Sequence, residues 1–445
     1  MQEKTMETNT IKTDLKSRLV LGFDDFKKNL NGYSSSEYNK VRNDALNRFD
    51  TLGFPTKHFE EYRYTNIYPV TTKDFEISYK QDISEKTLGK YLIKGFEPNL
   101  LVLVNGHYNE SLSRILSPSD EIEISDIREA LKDDSIKNNF LKIADYSNDP
   151  FIALNTAYFT GGIYINIKGD VKHPVMILNL CGDKDKEVLS QPRIFITANE
   201  NTHADIIERS ETLCDNYVFS NTVTEIFSGK NSVLTHLKIQ NDGTKAYTLS
   251  HTSVVQEESS VYDSYAASWG GSILRNNLTA YLNGKHSECI LRGLYYIDGK
   301  SLIDNHTTVE HKVPECHSNE LYKGIITDNG WGVFNGKIIV DKDAQKTNAY
   351  QSNKNILLSD TATINAKPQL EIYADDVKCS HGATTGQIDP EELFYLRSRG
   401  ISLDTAKKML QFAFLDGILT EYKDDKVRDY LEKILHKKLS NEKTI

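Results

Sequence analysis

The sequence predicts a mainly β chain, with a mostly helical segment before a long series of strands and a small helical module after it. Two observations carry this prediction. From Gly161-Gly162 to about Lys378, short β-type segments follow one another, and helical spacing is nearly absent over roughly 200 residues. Outside that span, apolar residues recur at helical spacing and helix punctuation is clear. The strand segments include IYINI, VMILNL, RIFITA, VLTHLKI, TLSHTSVV, ILRNNLTAYL, CILRGLYYI and GKIIV, with Gly, Asn and Asp between them. Such a series suits a sandwich, a barrel or a β-solenoid. The run is long for one sandwich, and many turns are polar and Asn-rich rather than tight Asn-Gly hairpins. Both points favour the solenoid, although no strict repeat is present.

Taken in order, Tyr38, Val41, Ala45, Leu46 and Phe49 form the apolar face of a first helix, which Gly53 and Pro55 stop. HFEEYRYTNI follows, dense in aromatic and charged residues. LLVLV (100–104) is a short strand ended by the turn pair Asn105-Gly106. Asp120 to Tyr146 is expected to be mainly helical and polar. After Gly386, Asp389-Pro390-Glu391-Glu392 supplies an N-cap, a proline at N1 and a glutamate at N3 for a capping box. Arg397 and Arg399 suit the last turn of that helix, and Gly400 its C′ position. A second helix starts near Ser402, with Ala406, Met409, Leu410, Ala413 and Phe414 as its stripe and Gly417 as its expected break. Val427, Tyr430, Leu431 and Ile434 space a third. The division is therefore 1–158 mostly helical, 159–386 β core, and 387–445 helical.

Composition narrows the function. A chain of 445 residues suggests two or three structural units. Lys+Arg of 53 against Asp+Glu of 63, a formal charge of -10, argues against a nucleic-acid binder. Cys181, Cys214, Cys289, Cys316 and Cys379 are scattered and odd in number, which fits a reducing compartment rather than a disulfide framework. The N-terminal MQEKTMETNTIKTD lacks an apolar core, and no stretch approaches the ~18 apolar residues of a membrane span. The expectation is a cytoplasmic protein with no membrane partner. Gly161-Gly162 and Gly270-Gly271 lack the Lys-Ser/Thr of a P-loop, so ATP hydrolysis is not expected of this chain.

Ordered blocks across the sequence resemble the SufB/SufD family of iron–sulfur cluster assembly proteins. They are WGGSILRNNL, LRGLYYIDGKSLIDNHTTVEH, SNELYKGI, GVFNGKIIV, AQKTNAYQSN, KPQLEIYADDVKCSHGATTGQID and ELFYLRSRGI, preceded by TLGFP, EEYRYTNI and PFIALNTAYF. VKCSHGATTG is closer to the SufD branch: Gly382 stands where a SufB-type His-Glu pair would place its glutamate. The resemblance implies a right-handed parallel β-helix between two helical regions. It implies a heterodimer with a SufB-like paralogue, meeting through the ends of the β-helices. A SufC-like ABC ATPase would dock on the C-terminal helices, with Leu393, Phe394, Leu396, Arg397 and Arg399 as candidates. The chain itself would be a non-catalytic scaffold. Its cargo would be iron or a nascent iron–sulfur cluster, transient and shared with SufB, and the resemblance also admits a flavin in the complex. Two alternatives stand beside this: a SufB-like homodimeric scaffold, and a carbohydrate-active β-helix enzyme.

Cys379 and His381 are the candidate iron or cluster ligands. Thiolate and imidazole both suit iron, and residues two apart on a strand share a face. Gly382 is expected to allow a turn or close approach. Parity raises a difficulty: Leu370, Ile372 and Ala374 form one face, Val377 and Cys379 the other, so a bulge or turn near Asp375-Asp376 is required. Taken singly, Cys379 reads as a small buried residue and His381 as a hydrogen-bonded one. Asp304, His306, Glu310 and His311 have metal-ligand chemistry, with a polar ladder as the simpler reading. Cys316 and His317 are adjacent and should point oppositely, while Cys181, Cys214 and Cys289 read as core fillers.

Overall fold

The structure is a computed structural model describing residues 14–30, 36–77, 81–137 and 139–440, with only the backbone for 36–38 and 135. The N-terminal stretch read for a targeting signal therefore lies almost wholly outside the described residues. Successive strands of the central span alternate between two sheets, and each strand pairs in parallel with the one a turn later. A turn advances the chain by 26 to 32 residues, as between Tyr247 and Ile273 and between Trp331 and Thr363. This is a parallel β-solenoid, the arrangement the strand series favoured.

Side chains facing inward between the sheets form one continuous apolar stack, from Leu101 and Ile163 through Ile226 and Leu274 to Ile326 and Phe334. Val, Ile, Leu and aromatic residues dominate because both sheet faces are covered. The outer face of the first sheet packs under the N-terminal helices Leu15–Lys28 and Ser36–Leu52 and the buried helix Pro150–Tyr158. Ala45 and Phe49 are buried as the spacing predicts, Leu46 is half-buried, and Gly53 takes the left-handed conformation that ends the helix (φ 65°). The outer face of the second sheet packs under Leu403–Leu419 and Asp425–Leu439, through Leu415, Ile418, Val427, Leu431 and Leu435.

Strands from the N-terminal segment join both sheets. Asn99–Val104 pairs in parallel with Val175–Cys181, then turns back at Asn105-Gly106, both at positive φ, as the turn pair predicts. The expected division at 158/159 is thus one of sequence character, crossed by hydrogen bonds.

Three local expectations are corrected. The described residues of 120–146 hold a strand, Ile122–Asp126, and only four-residue helices, because IEIS alternates with period two and pairs with Gly162–Ile167. Met409 and Ala413 are exposed, since the buried stripe of their helix runs through Ala406, Gln411, Leu415 and Ile418. That helix continues through Gly417 to Leu419, because its buried neighbours Ile418 and Leu419 anchor the last turn.

Candidate functional site

Both sheets end in the same turn of the solenoid. Lys378–Gly386 pairs only with Asn348–Leu357 and is the last strand of the second sheet. Thr363–Ala366 and Gln369–Ile372 pair with Trp331–Val340 and end the first sheet. Their residues are half-buried or exposed throughout, so no helix among the described residues covers this end. A parallel edge of this kind leaves backbone N–H and C=O groups free to pair with another chain.

The parity problem is solved by a corner. The chain leaves the first sheet at Ile372, bends at Asp375-Asp376 and enters the second sheet at Lys378. Leu370, Ala374, Val377 and Cys379 then gather in one cluster with Ile338, Val340, Ala344 and Ala349. Cys379 sits opposite Ala349 and His381 opposite Gln351, both partners buried on the inward face. Cys379 and His381 therefore share the inward side, as their spacing predicts. No further turn covers them: Cys379 is half-buried and His381 exposed. Burial raises the Cys379 thiol above its ordinary value, partly countered by a hydrogen bond with the Ala349 backbone. Gly382 does not serve the expected role: its φ is not positive and a Cβ there would meet nothing within 4 Å.

One imidazole and one thiol are two donors, and iron in a cluster needs four. Among the described residues no group of three His, Cys, Asp or Glu could hold a metal.

The other candidates fall elsewhere. Asp304 and His306 face outward on Leu302–His311, beneath the segment 60–65. Asp304 accepts from Thr65 Oγ1 (2.5 Å) and Arg275 Nη1 (2.5 Å), and His306 lies between Asp304 Oδ1 (2.9 Å) and Glu61 Oε2 (3.2 Å). These contacts tie the N-terminal segment to the solenoid. The nearby Arg275 and His306 charges lower Asp304 against the effect of burial. His311 points inward, away from His306, and bonds Ser318 Oγ (2.9 Å). Cys316 is buried and His317 exposed, on opposite faces as expected. Cys181 and Cys289 fill the core, whereas Cys214 is half-buried in a loop with Sγ 3.0 Å from the Asp183 carbonyl oxygen, a correction to its reading as core.

Asp389 caps Pro390–Ser398 through the Glu391 N–H (2.8 Å), and Gly400 takes the left-handed C′ conformation (φ 86°). This helix buries no residue. Leu393 and Leu396 are half-buried toward the neighbouring helix, while Phe394 (75% exposed), Arg397 and Arg399 face solvent, with Arg399 near the Tyr395 ring.

Sequence reasoning missed Gln351 and Glu320, buried in the column under His381. Alternation hid them, because Leu321 beside Glu320 reads as the inward residue and only strand register shows otherwise.

Comparison with known proteins agrees with the fold. The description "SUF system FeS cluster assembly, SufBD core domain" matches residues 180–414, and the SufBD protein N-terminal region matches residues 14–177. The chain is 31% identical to the iron–sulfur cluster assembly protein SufD of Escherichia coli, over 84% of this chain and 86% of that protein. It is 30% identical to an iron–sulfur cluster assembly SufBD family protein of Synechocystis, over 85% and 86%. SufD of Bacillus subtilis is 23% identical over 90% and 93%.

Proposed function

This chain belongs to the SufB/SufD family of iron–sulfur cluster assembly proteins, and from that premise we propose that it is a SufD-like, non-catalytic scaffold. It works in the cytoplasm, pairs with a SufB-like paralogue through the open end of its solenoid and presents His381 there to incoming iron. A SufC-like ATPase docks on the C-terminal helices and drives the conformational change. The observation that carries the reading is the exposed imidazole on the inward face of an uncapped final turn.

An edge strand can extend a partner's sheet, and its main-chain groups then supply affinity. The partner's side chains and sulfide complete the coordination that one imidazole begins. Cys379 is the second candidate donor. Its raised thiol keeps it protonated until a metal arrives, because binding requires release of that proton. An incomplete ligand set also lets the cargo leave. Family membership displaces the carbohydrate-active alternative, and the relatives named SufD favour a heterodimer over a SufB-like homodimer.

The test is His381→Ala in the full chain, co-produced with the SufB-like and SufC-like partners and reconstituted anaerobically. The complex should assemble unchanged while visible cluster absorbance falls several-fold. A normal cluster yield would remove His381 from the mechanism.

A further inference from the structure

Beneath His381 the inward-facing column of the second sheet runs Gln351, Glu320, Leu291, one residue per turn. Gln351 is 3% and Glu320 2% exposed. Gln351 Nε2 donates to Glu320 Oε2 at 2.8 Å, and Thr307 Oγ1 from the facing sheet donates to Glu320 Oε1 at 2.5 Å. Burial raises the Glu320 carboxyl to about 7; above that pH the ionised group only accepts, so it fixes which end of the amide faces it. Among the described residues, Gln351 Oε1 is left buried with no hydrogen-bond partner. An orphaned acceptor of this kind carries the full cost of its desolvation. The surroundings are shaped for this amide: a Cβ on Gly336 would come within 2.1 Å of Gln351 Nε2.

We propose that Gln351 is a positioning residue for His381: its unpartnered Oε1 accepts the imidazole N–H from the turn above, turning the other ring nitrogen's lone pair toward the open end. Parallel strands lie about 4.8 Å apart, which puts a ring N–H within reach of an amide oxygen one turn below. A neutral imidazole carries one N–H and one lone pair, so an acceptor-only partner selects the tautomer. Glu320 and Thr307 hold the amide from below. The consequence for iron rests on the reading of His381 given above, but the tautomer claim stands apart from it.

The experiment uses the full chain carrying 15N-labelled histidine at pH 8, with His381→Ala identifying the ring signals. His381 of the unsubstituted chain should show one tautomer, and Gln351→Met should release it into exchange between two. In the complex with the SufB-like partner, ferrous iron affinity should fall about tenfold in Gln351→Met, the range seen when outer ligand contacts are lost. Free tautomer exchange in the unsubstituted chain overturns the proposal, whether or not the variant folds. So does a folded Gln351→Met chain with unchanged ring signals. Normal cluster formation in His381→Ala sinks only the iron reading, so the two failures are told apart.

Discussion

The Arg193 guanidinium and the Glu225 carboxylate meet at 2.7 Å with both side chains wholly out of solvent. The pair is also a clamp. Arg193 reaches Asn155 Oδ1 and Thr156 Oγ1, each at 3.2 Å, and Glu225 accepts the backbone N–H groups of Leu141, Ile143 and Ala144. Two neighbouring turns of the first sheet thereby hold the helix Pro150–Tyr158 and the segment leading into it.

Removing one member leaves the other charge buried alone, so Arg193→Met and Glu225→Leu should each destabilise by about 3–5 kcal/mol. The double substitution should cost clearly less than the sum. A double-mutant cycle by urea denaturation measures this. Single losses below about 1 kcal/mol would show that the clamp is dispensable.

His311 gives a pH dependence. Burial, with the His317 charge second, brings its imidazole down to about 4 from 6.5. The unfolded chain binds this proton below about pH 6.5, and the folded chain only near pH 4, so the unfolded state is favoured as pH falls between them. The contribution is fully present above pH 6.5, declines toward pH 4 and totals roughly 3 kcal/mol. Denaturation curves of the chain and of His311→Gln between pH 4 and 7 isolate the effect. Parallel profiles would remove it.

Two glycines of the same sheet should behave oppositely. A Cβ on Gly324 would lie 1.9 Å from the Tyr295 ring, whereas one on Gly382 meets open space. Gly324→Ala should therefore cost about 1–3 kcal/mol through overpacking, and Gly382→Ala should stay within about 0.5 kcal/mol. Melting temperatures compare the two. A large loss at Gly382 would restore the conformational role its sequence context suggested.

These contrasts also mark what the sequence could convey. Strand segments such as IYINI and CILRGLYYI were legible because β-branched and aromatic residues cluster in short runs, and the cap at Asp389 and the helix start near Ser402 because their chemistry is local. The repeat was hidden: turns of 26 to 32 residues have no common period, and inward positions carry Leu291, Glu320, Gln351 and His381 in a single column. The stripe of Leu403–Leu419 was misplaced because its buried face meets the sheet through Leu415 and Ile418, a tertiary choice that spacing does not encode. The shared face of Cys379 and His381 was legible from their spacing, while the Gln351 amide beneath them depends on register alone.

The proposed ATPase-docking surface calls for point substitution rather than deletion. Removing residues from 389 onward would strip Leu415, Val427, Leu431 and Leu435 from the second sheet and expose its apolar outer face. Phe394 is 75% and Tyr395 57% exposed on a helix that buries nothing, with Arg397 beside them in its last turn. Aromatic residues and arginine are enriched at protein interfaces, and tyrosine and arginine among the residues that dominate binding. Phe394→Ala with Arg397→Ala should therefore weaken binding of the SufC-like ATPase by at least about thirtyfold, the effect of losing about 2 kcal/mol. Thermal stability should hold, since neither side chain is buried. Leu393→Ala makes the contrast: half-buried against its neighbouring helix, it should lower stability and weaken binding less. Calorimetric titration with the ATPase reads the first effect and thermal melts the second. Undiminished binding by the Phe394/Arg397 variant would move the docking surface off this helix.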